Sequence, residues 1–356
     1  MDEIKLVDLF CGIGGFHTGI RSACERAGID FSCVAACEKK PSVSKVYEAK
    51  YGLVPYGDVR HFDASVIPSF NVLSAGFPCQ PFSVVNRTAS AGEAHHSYDL
   101  KDEVVRVITE RRPAIVLLEN VPGLVSSKHR HYFNRILSDL KAIGYTVKWA
   151  LLNARNFGVV QSRLRLFIVG FLNSESAELF EFPNGEPCKD TLADILDGDV
   201  QLETVLTTGI YKRFTKSGNR FRKVLKGSET SCHCLTSSGT VKDIAIKDDS
   251  NISKKYDAQW LLSQGKQPYL RCFSPAEALR LQGFESTFFD GLGVSYAGKL
   301  GMIGNSVSPP VVEAIFLNIL QAASGEQCEH FRGNHTLLKI QAESERVAIL
   351  KELPLL

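Results

Sequence analysis

The densest reactive motif in the chain is Ala75-Gly76-Phe77-Pro78-Cys79-Gln80-Pro81-Phe82-Ser83, in which two prolines stiffen the backbone on either side of one cysteine. It directly follows an expected strand, Asn71 to Ser74, at the kind of strand end where open α/β sheets bind ligands. A thiol there is a candidate nucleophile, whereas a structural cysteine belongs inside an apolar strand. Glu119 and Asn120 close a second apolar run, Ile115 to Glu119. A carboxyl flanked by so much apolar sequence is either partnered or has a raised pKa suited to proton transfer, and a turn or capping carboxylate is the plain alternative. Arg163 and Arg165 alternate at the start of a third run and so share one face. On an apolar strand they need anions or carbonyls, unless they are merely a surface pair.

A second group of motifs suits a cofactor. Asp8-Leu9-Phe10-Cys11-Gly12-Ile13-Gly14-Gly15 ends the first expected strand in a Gly-rich turn opening a helix, where the backbone can approach a ligand and N–H groups are unpaired. The dinucleotide spacing is not met, since His17 stands where its third glycine would fall, and an ordinary tight turn is the competing reading. Glu38 ends the second expected strand 23 residues after Gly15, where nucleotide-binding folds place an acid on ribose hydroxyls. Asp58, in Tyr56-Gly57-Asp58-Val59, is either an acceptor for an adenine amine or a turn aspartate. Gly304-Asn305-Ser306-Val307-Ser308-Pro309-Pro310 is a polar turn feeding the last apolar helix.

The elements that position these residues read as strands at Ile4 to Leu9, Ser32 to Cys37, Asn71 to Ser74, Ile115 to Glu119, Thr146 to Leu152 and Leu164 to Val169. Helices alternate with them near 15–27, 41–50, 102–111 and 130–143, the pattern of an α/β fold with a doubly wound, mostly parallel sheet. Ser83 to Tyr98 is too long and polar for a routine connection and reads as a lid. From about 173 to 270 the rhythm fails, which suggests a smaller, mainly irregular and β domain. Helical periodicity returns at Pro275 to Leu281 and Pro310 to Ala322, whose Val311, Ile315 and Ile319 share one face. The tail from 324 to 356 is polar, then weakly helical.

Composition sets the class. With 356 residues, 44% hydrophobic and 22% charged, the chain has length for about two domains and is neither disordered, collagenous nor a disulfide scaffold. No basic leader or long apolar run is evident, so the expectation is a cytoplasmic protein without a membrane anchor, its cysteines reduced. Cys11, Cys24, Cys33 and Cys37 then read as small core residues. Cys232-His233-Cys234 lacks a second pair at finger spacing, and no metal is expected. The 41 basic residues nearly balance 39 acidic ones, but Thr204 to Ser228 holds seven basic residues and no acidic one. Within it Lys212, Arg213, Lys216, Arg220 and Arg222, interleaved with Tyr211, Phe214 and Phe221, are the candidate phosphate and base contacts, a solvated face being the alternative.

Taken in order, Phe10-x-Gly12-x-Gly14-Gly15, Pro78-Cys79-Gln80-Pro81-Phe82-Ser83, Glu119-Asn120-Val121, Gln161-x-Arg163-x-Arg165, Arg280-Leu281-Gln282-Gly283-Phe284 and Gly304-Asn305-Ser306-Val307 resemble the motif series of the (cytosine-5) DNA methyltransferases of bacterial restriction-modification systems. The resemblance covers most of 4–170 and 272–322. It implies a class I, Rossmann-like S-adenosylmethionine-dependent catalytic domain over 1–172, a target-recognition domain over 173–270, a return to the catalytic domain over 271–323, and a tail beyond.

It also implies roles. Cys79 would add to C6 of a flipped cytosine, Glu119 would hold or protonate N3, and Arg163 and Arg165 would fix the cytosine carbonyl and a nearby phosphate. Phe10, Gly12, Ile13, Gly14 and Gly15, with Glu38, Lys39, Asp58, Val59, Pro78, Leu100, Asn305, Ser306 and Val307, would hold S-adenosylmethionine. Gln80 and Ser83 would meet DNA as 83–100 closes. The partners implied are double-stranded DNA and a cognate restriction endonuclease acting on the same site, for a monomer of the bacterial cytoplasm or nucleoid. Two departures stand out: Val84-Val85-Asn86-Arg87-Thr88 replaces the usual Gly-rich start of the lid, and Lys39 occupies a position often aromatic. The alternatives are the same chemistry on a transfer-RNA cytosine, and an inactive cofactor- or DNA-binding module.

Overall fold

The structure, a computed structural model, describes residues 3–78, 91–215, 223–236 and 244–325, with the backbone alone at 91–99, 213, 215 and 223. The chain runs β1 (Glu3–Leu9), α1 (Gly15–Ala27), β2 (Asp30–Cys37), α2 (Pro41–Tyr51), β3 (Val72–Gly76), α3 (Ala91–Arg111), β4 (Ile115–Asn120), α4 (Arg130–Ala142), β5 (Thr146–Asn153), β6 (Gln161–Ser162), β7 (Leu164–Phe171) and α5 (Ser174–Leu179). There follow α6 (Leu192–Ile195), β8 (Val205–Thr207), α7 (Thr208–Thr215), β9 (Lys223–Leu225), β10 (Cys232–His233), β11 (Ile244–Lys247), α8 (Asp249–Lys255), α9 (Ala258–Ser263), β12 (Lys266–Arg271), α10 (Pro275–Gln282), α11 (Tyr296–Asn305) and α12 (Pro309–Ala323). The helix expected near 102–111 thus begins at Ala91, inside the stretch read as a lid; residues 83–90 of that stretch and 326–356 of the tail lie outside the described residues.

Two compact units divide the chain: 1–156, 164–186 and 307–356 form one, and 157–163 with 187–306 the other. The first is built on a six-stranded sheet of order β2-β1-β3-β4-β7-β5. Its strands are parallel except β7, which is antiparallel to both neighbours. Only residues 154–163 join β5 to β7, too few for the crossover that a parallel pair requires. Strands β1, β3 and β4 are buried over most of their length, as a sheet covered on both faces demands. The expected face of α12, Val311, Ile315 and Ile319, is buried. Gly19 of α1 makes room for α12, because a Cβ there would lie 2.6 Å from both the Pro309 carbonyl and Val312.

The second unit holds a four-stranded sheet, β8-β12-β11-β9, and the pair β10-β6. It carries six helices among its described residues, more helix than the sequence suggested. Its boundaries also differ from those expected. Residues 173–186 stay with the large sheet because Phe180 packs on Phe171 and the Glu181 carbonyl accepts from Asn318 Nδ2. Residues 271–306 group with 187–270 through a buried ion cluster: Arg271 Nε lies 2.5 Å from Asp248 Oδ2, and its two terminal nitrogens each lie 2.8 Å from a Glu277 oxygen. Glu277 also accepts the Asp197 and Ser274 N–H groups, so one carboxylate ties three segments. The stretch Tyr296–Ala323, long and apolar enough by composition to cross a membrane, is broken into α11 and α12 at 306–308 and is largely buried.

Removing one member of such a cluster strands the others without a countercharge. Arg271→Ala is expected to lower unfolding stability by about 3–5 kcal/mol, read from urea titration by circular dichroism.

Candidate active site

The parallel register aligns the C-terminal ends of β3 and β4, with Gly76 opposite Glu119. Glu119 Oε2 lies 3.7 Å from where a Gly76 Cβ would stand. Antiparallel β7 brings Arg165 to the same end of β4, its Nε 3.1 Å from Glu119 Oε1, with only 15% and 14% of the two side chains exposed. Of the two readings open for Glu119, the partnered one therefore holds. Its neighbour Asn120 is buried; Nδ2 donates to the Phe77 carbonyl at 3.2 Å, while Oδ1 accepts the Val121 N–H. Asn120 thus pins the backbone just ahead of half-buried Pro78, a role its position at a strand end signalled only by adjacency. Cys79, Gln80 and Ser83 lie outside the described residues.

The Gly-rich turn is a sequence of left-handed residues: φ is +56° at Phe10, +54° at Gly12 and +84° at Gly14. The Cys11 N–H reaches the Cys37 carbonyl at 2.9 Å, and Gly14 N–H closes back on Cys11 at 2.8 Å. From α2, Tyr51 Oη stands 3.1 and 3.2 Å from the Ile13 and Gly14 carbonyls and 2.8 Å from Thr18 Oγ1. His17, in place of a third glycine, is buried, stacks on Tyr51 at 3.9 Å, and meets Tyr47 Oη through Nδ1 at 2.7 Å. Burial lowers its pKa to about 3, so the imidazole is neutral. Gly15 and Ile13 are also buried.

Around this turn, Glu38 accepts the Lys40 N–H at 2.7 Å. Both oxygens of Asp58 are engaged, by Arg60 at 3.0 and 2.5 Å and by Lys39 at 3.1 Å, and the Arg60 guanidinium foremost holds its carboxyl well below the usual range. Lys39, set beside adenine by the resemblance, is here a countercharge for Asp58. Val59 is buried and Leu100 packs against the main core. Cys11, Cys24 and Cys37 are buried and Cys33 partly so; burial raises all four thiols, that of Cys24 and of Cys33 to about 12, as inert core cysteines require.

Arg163 lies in the second unit, apart from Arg165 in the division of the chain. Its buried Nη1 donates to the Leu235 carbonyl at 2.8 Å, and Nη2 to the Gly304 and Ser306 carbonyls at 3.1 and 2.7 Å. Gln161 joins the same knot, donating to the Leu281 carbonyl and Gln282 Oε1 and accepting the Leu235 N–H, each at 2.8 Å, while Gln282 Nε2 reaches the Ser306 carbonyl at 2.5 Å. Three motifs distant in sequence are satisfied there by backbone groups. Asn305 is exposed, Ser306 buried, and Val307, which opens the last stretch of the first unit, buried. Of the basic segment, Lys212 is exposed on α7, whereas Tyr211 and Phe214 pack against the Leu206, Ala245 and Leu270 cluster rather than interleaving with the charges. Lys216, Arg220, Arg222 and the Arg213 side chain lie outside the described residues.

A Cβ at Gly14 would overlap the Tyr51 ring, which His17 and Thr18 hold in place. Gly14→Ala adds a left-handed φ penalty, so it is expected to lower the thermal midpoint by an amount equivalent to about 1–3 kcal/mol and to weaken ligand binding at the turn, both read by melting with and without S-adenosylmethionine.

Residues 4–321 match the family model of the C-5 cytosine-specific DNA methylases. The chain is 32% identical to the Type II methyltransferase M.BsuFI of Bacillus subtilis, over 88% of this chain and 71% of the relative. It is 33% identical to the Type II methyltransferase M.NlaX of Neisseria lactamica, over 87% and 94% of the two chains. Among solved structures, the methyltransferase EhMeth of Entamoeba histolytica superposes with a TM-score of 0.70 at 19% identity, over 90% of this chain and 99% of that one, a likeness of fold. With its sheet, its strand-end motifs and this match across nearly the whole described chain, the protein belongs to the C-5 cytosine-specific DNA methylase family and is a DNA (cytosine-5-)-methyltransferase.

Proposed function

We propose that this chain methylates C5 of cytosine within a specific double-stranded DNA sequence, with Cys79 as nucleophile and S-adenosylmethionine as methyl donor. The observation that carries the reading is the Glu119–Arg165 pair facing Gly76, three residues before Cys79 in the chain. The family membership supplies the reaction class, and these residues supply the means.

The residues present fit the cofactor. The turn from Phe10 to Gly15 exposes backbone where a Cβ at Gly12 would meet nothing within 4 Å, and Glu38 ends the neighbouring strand with a carboxylate suited to ribose hydroxyls. Pro78, Leu100, Asn305, Ser306 and Val307 complete the proposed set. When bound, the cofactor supplies an electrophilic methyl on a sulfonium. Cytosine C5 is a poor nucleophile until the Cys79 thiolate adds to C6 and breaks the C5–C6 double bond, making C5 an enamine carbon. Glu119, oriented by Arg165, contacts the exocyclic amine and in its protonated form donates its proton to N3 as the thiolate adds, taking it back when the thiolate leaves; the Arg165 guanidinium would sit toward the ring carbonyl. After methyl transfer, loss of the C5 proton to a base and expulsion of the Cys79 thiolate restore the aromatic ring. C6 is inaccessible in a stacked duplex, so the cytosine is flipped out.

Arg163 serves this reaction as a brace for the 304–306 turn, through the carbonyls it already holds. Gln80, Ser83, Lys212, Arg213, Lys216, Arg220 and Arg222 remain the proposed DNA contacts. The proposal includes a monomer of the bacterial cytoplasm or nucleoid, and a cognate restriction endonuclease acting on the same site, a pairing in keeping with relatives named Type II methyltransferases.

The test is methyl transfer from labelled cofactor to mixed genomic DNA and to bulk transfer RNA, followed by base-resolution mapping. Label at C5 of DNA is expected, reduced at least about 10³-fold by Cys79→Ser. Label confined to transfer RNA moves the chain to the alternative substrate, and label in neither favours an inactive binding module.

A further inference from the structure

Beneath the Gly-rich turn lies a carboxyl that the proposed chemistry does not use. Asp8 is fully buried at the end of β1, its Oδ1 2.7 Å from Ser74 Oγ, with which it is also in register across the sheet. The backbone N–H of His17, in the first turn of α1, also favours the ionised carboxylate, more weakly than the Ser74 hydroxyl does. That turn has no cap of its own, because its N-cap is Gly14, which has no side chain to offer. Both contacts are donors, and Oδ2 has no hydrogen-bond partner among the described residues.

No described group facing Asp8 carries a positive charge. From β2 and its end come Cys33, Cys37 and Glu38; from the turn, Cys11; from α2, Tyr47 and Tyr51; from α1, the neutral His17. A fully buried acid with no countercharge is a stability cost, and an apolar residue would pack there more cheaply. Its position gives the cost a purpose. Asp8 joins the three pieces that must keep their mutual place for the turn to hold a ligand: the strand before the turn, the helix after it, and β3, which leads to Cys79.

We propose that Asp8 is a positioning residue for the cofactor turn: its carboxylate, reached by the Ser74 hydroxyl and the His17 N–H, locks the first turn of α1 and strand β3 to the end of β1. The inference rests on the function proposed above. Burial raises the Asp8 pKa from 3.8 to about 7. The two groups that reach it are donors, while Glu38 only repels its charge from farther off; the ionised form accepts more strongly from both donors and is the stronger brace, so cofactor binding tightens as pH rises through about 7. Stability runs the other way. The folded state keeps its Asp8 proton up to about pH 7 and the unfolded state loses it near 4, so folding stability falls with rising pH across that window and levels off above it.

The test is calorimetric titration of the full-length protein with S-adenosylmethionine between about pH 6 and 8, beside thermal melts. In the wild type Kd is expected to fall with pH; in Asp8→Asn, whose amide has no acceptor to meet, Kd at pH 8 rises about tenfold and loses its pH dependence. The melting temperature of that variant at pH 8 holds or rises, because the buried charge is gone. A purely structural aspartate gives the reverse, a lower melting temperature with Kd unchanged, and that result overturns the proposal. Ser74→Ala provides a second variant, with Kd about threefold higher and the pH midpoint moved upward; no shift in either again overturns it. A wild type that binds the cofactor but methylates no DNA sinks the proposed function and leaves this inference to the Kd values. A wild type that binds no cofactor removes both.

Discussion

Everything the proposed site does depends on the register of three parallel strands. Asp8 faces Ser74 and Leu9 faces Ala75 across β1 and β3, while Ala75 faces Leu118 and Gly76 faces Glu119 across β3 and β4. The Gly-rich turn, the Phe77-Pro78 segment after β3 and the Glu119-Asn120 corner therefore leave the sheet at one level. A slip by one residue would exchange side chains between the two buried faces of the sheet and move each strand end by one step, so the packing that builds the core also fixes where the chemistry emerges. The reversed strand β7 is part of the same constraint. Running against β4, it delivers Arg165 to the strand end that Glu119 occupies.

The sheet itself obeys local rules closely, and several departures lie at the end that carries the Gly-rich turn. Phe10 takes a left-handed conformation that costs a non-glycine residue, and a carboxyl and an imidazole are buried directly below. Tyr51 is spent on two loop carbonyls. Such local costs persist only where the surrounding packing overrides them, and they mark a turn whose shape is held for a ligand. In the second unit the corresponding investment is the knot of Gln161, Arg163 and Gln282, in which side-chain donors satisfy the carbonyls of a turn that carries no regular structure of its own.

Most of this sheet was legible in the sequence, because its strands are short apolar runs and its helices have a single apolar face. The reversal of β7 was not, since direction depends on the length of a connection and leaves no mark on periodicity. The Glu119–Arg165 pair was half legible: both residues stood out by type and place, but their contact is made by pairing strands far apart in sequence. Arg163 shows the opposite limit, because two arginines alternating in sequence look equivalent until the backbone turns between β6 and β7. Tyr211 and Phe214 misled for a related reason, as an aromatic beside a lysine reads the same whether it faces a base or a core. Asp8 stood inside a quoted motif, and nothing in its neighbours signalled how deeply it would be buried.

The packing of α1 against α12 has a consequence for how the molecule comes into being. Gly19, Arg26 and their neighbours wait for Val312 and Glu313, with Arg26 pairing to Glu313 at 2.7 Å. At ordinary rates of synthesis, roughly 5–20 residues per second, the outer face of α1 stays bare on the ribosome for about 15–60 s. Contacts that span so much sequence are also slow to close, so the first helix laid on the sheet waits for the last described one to find its partner.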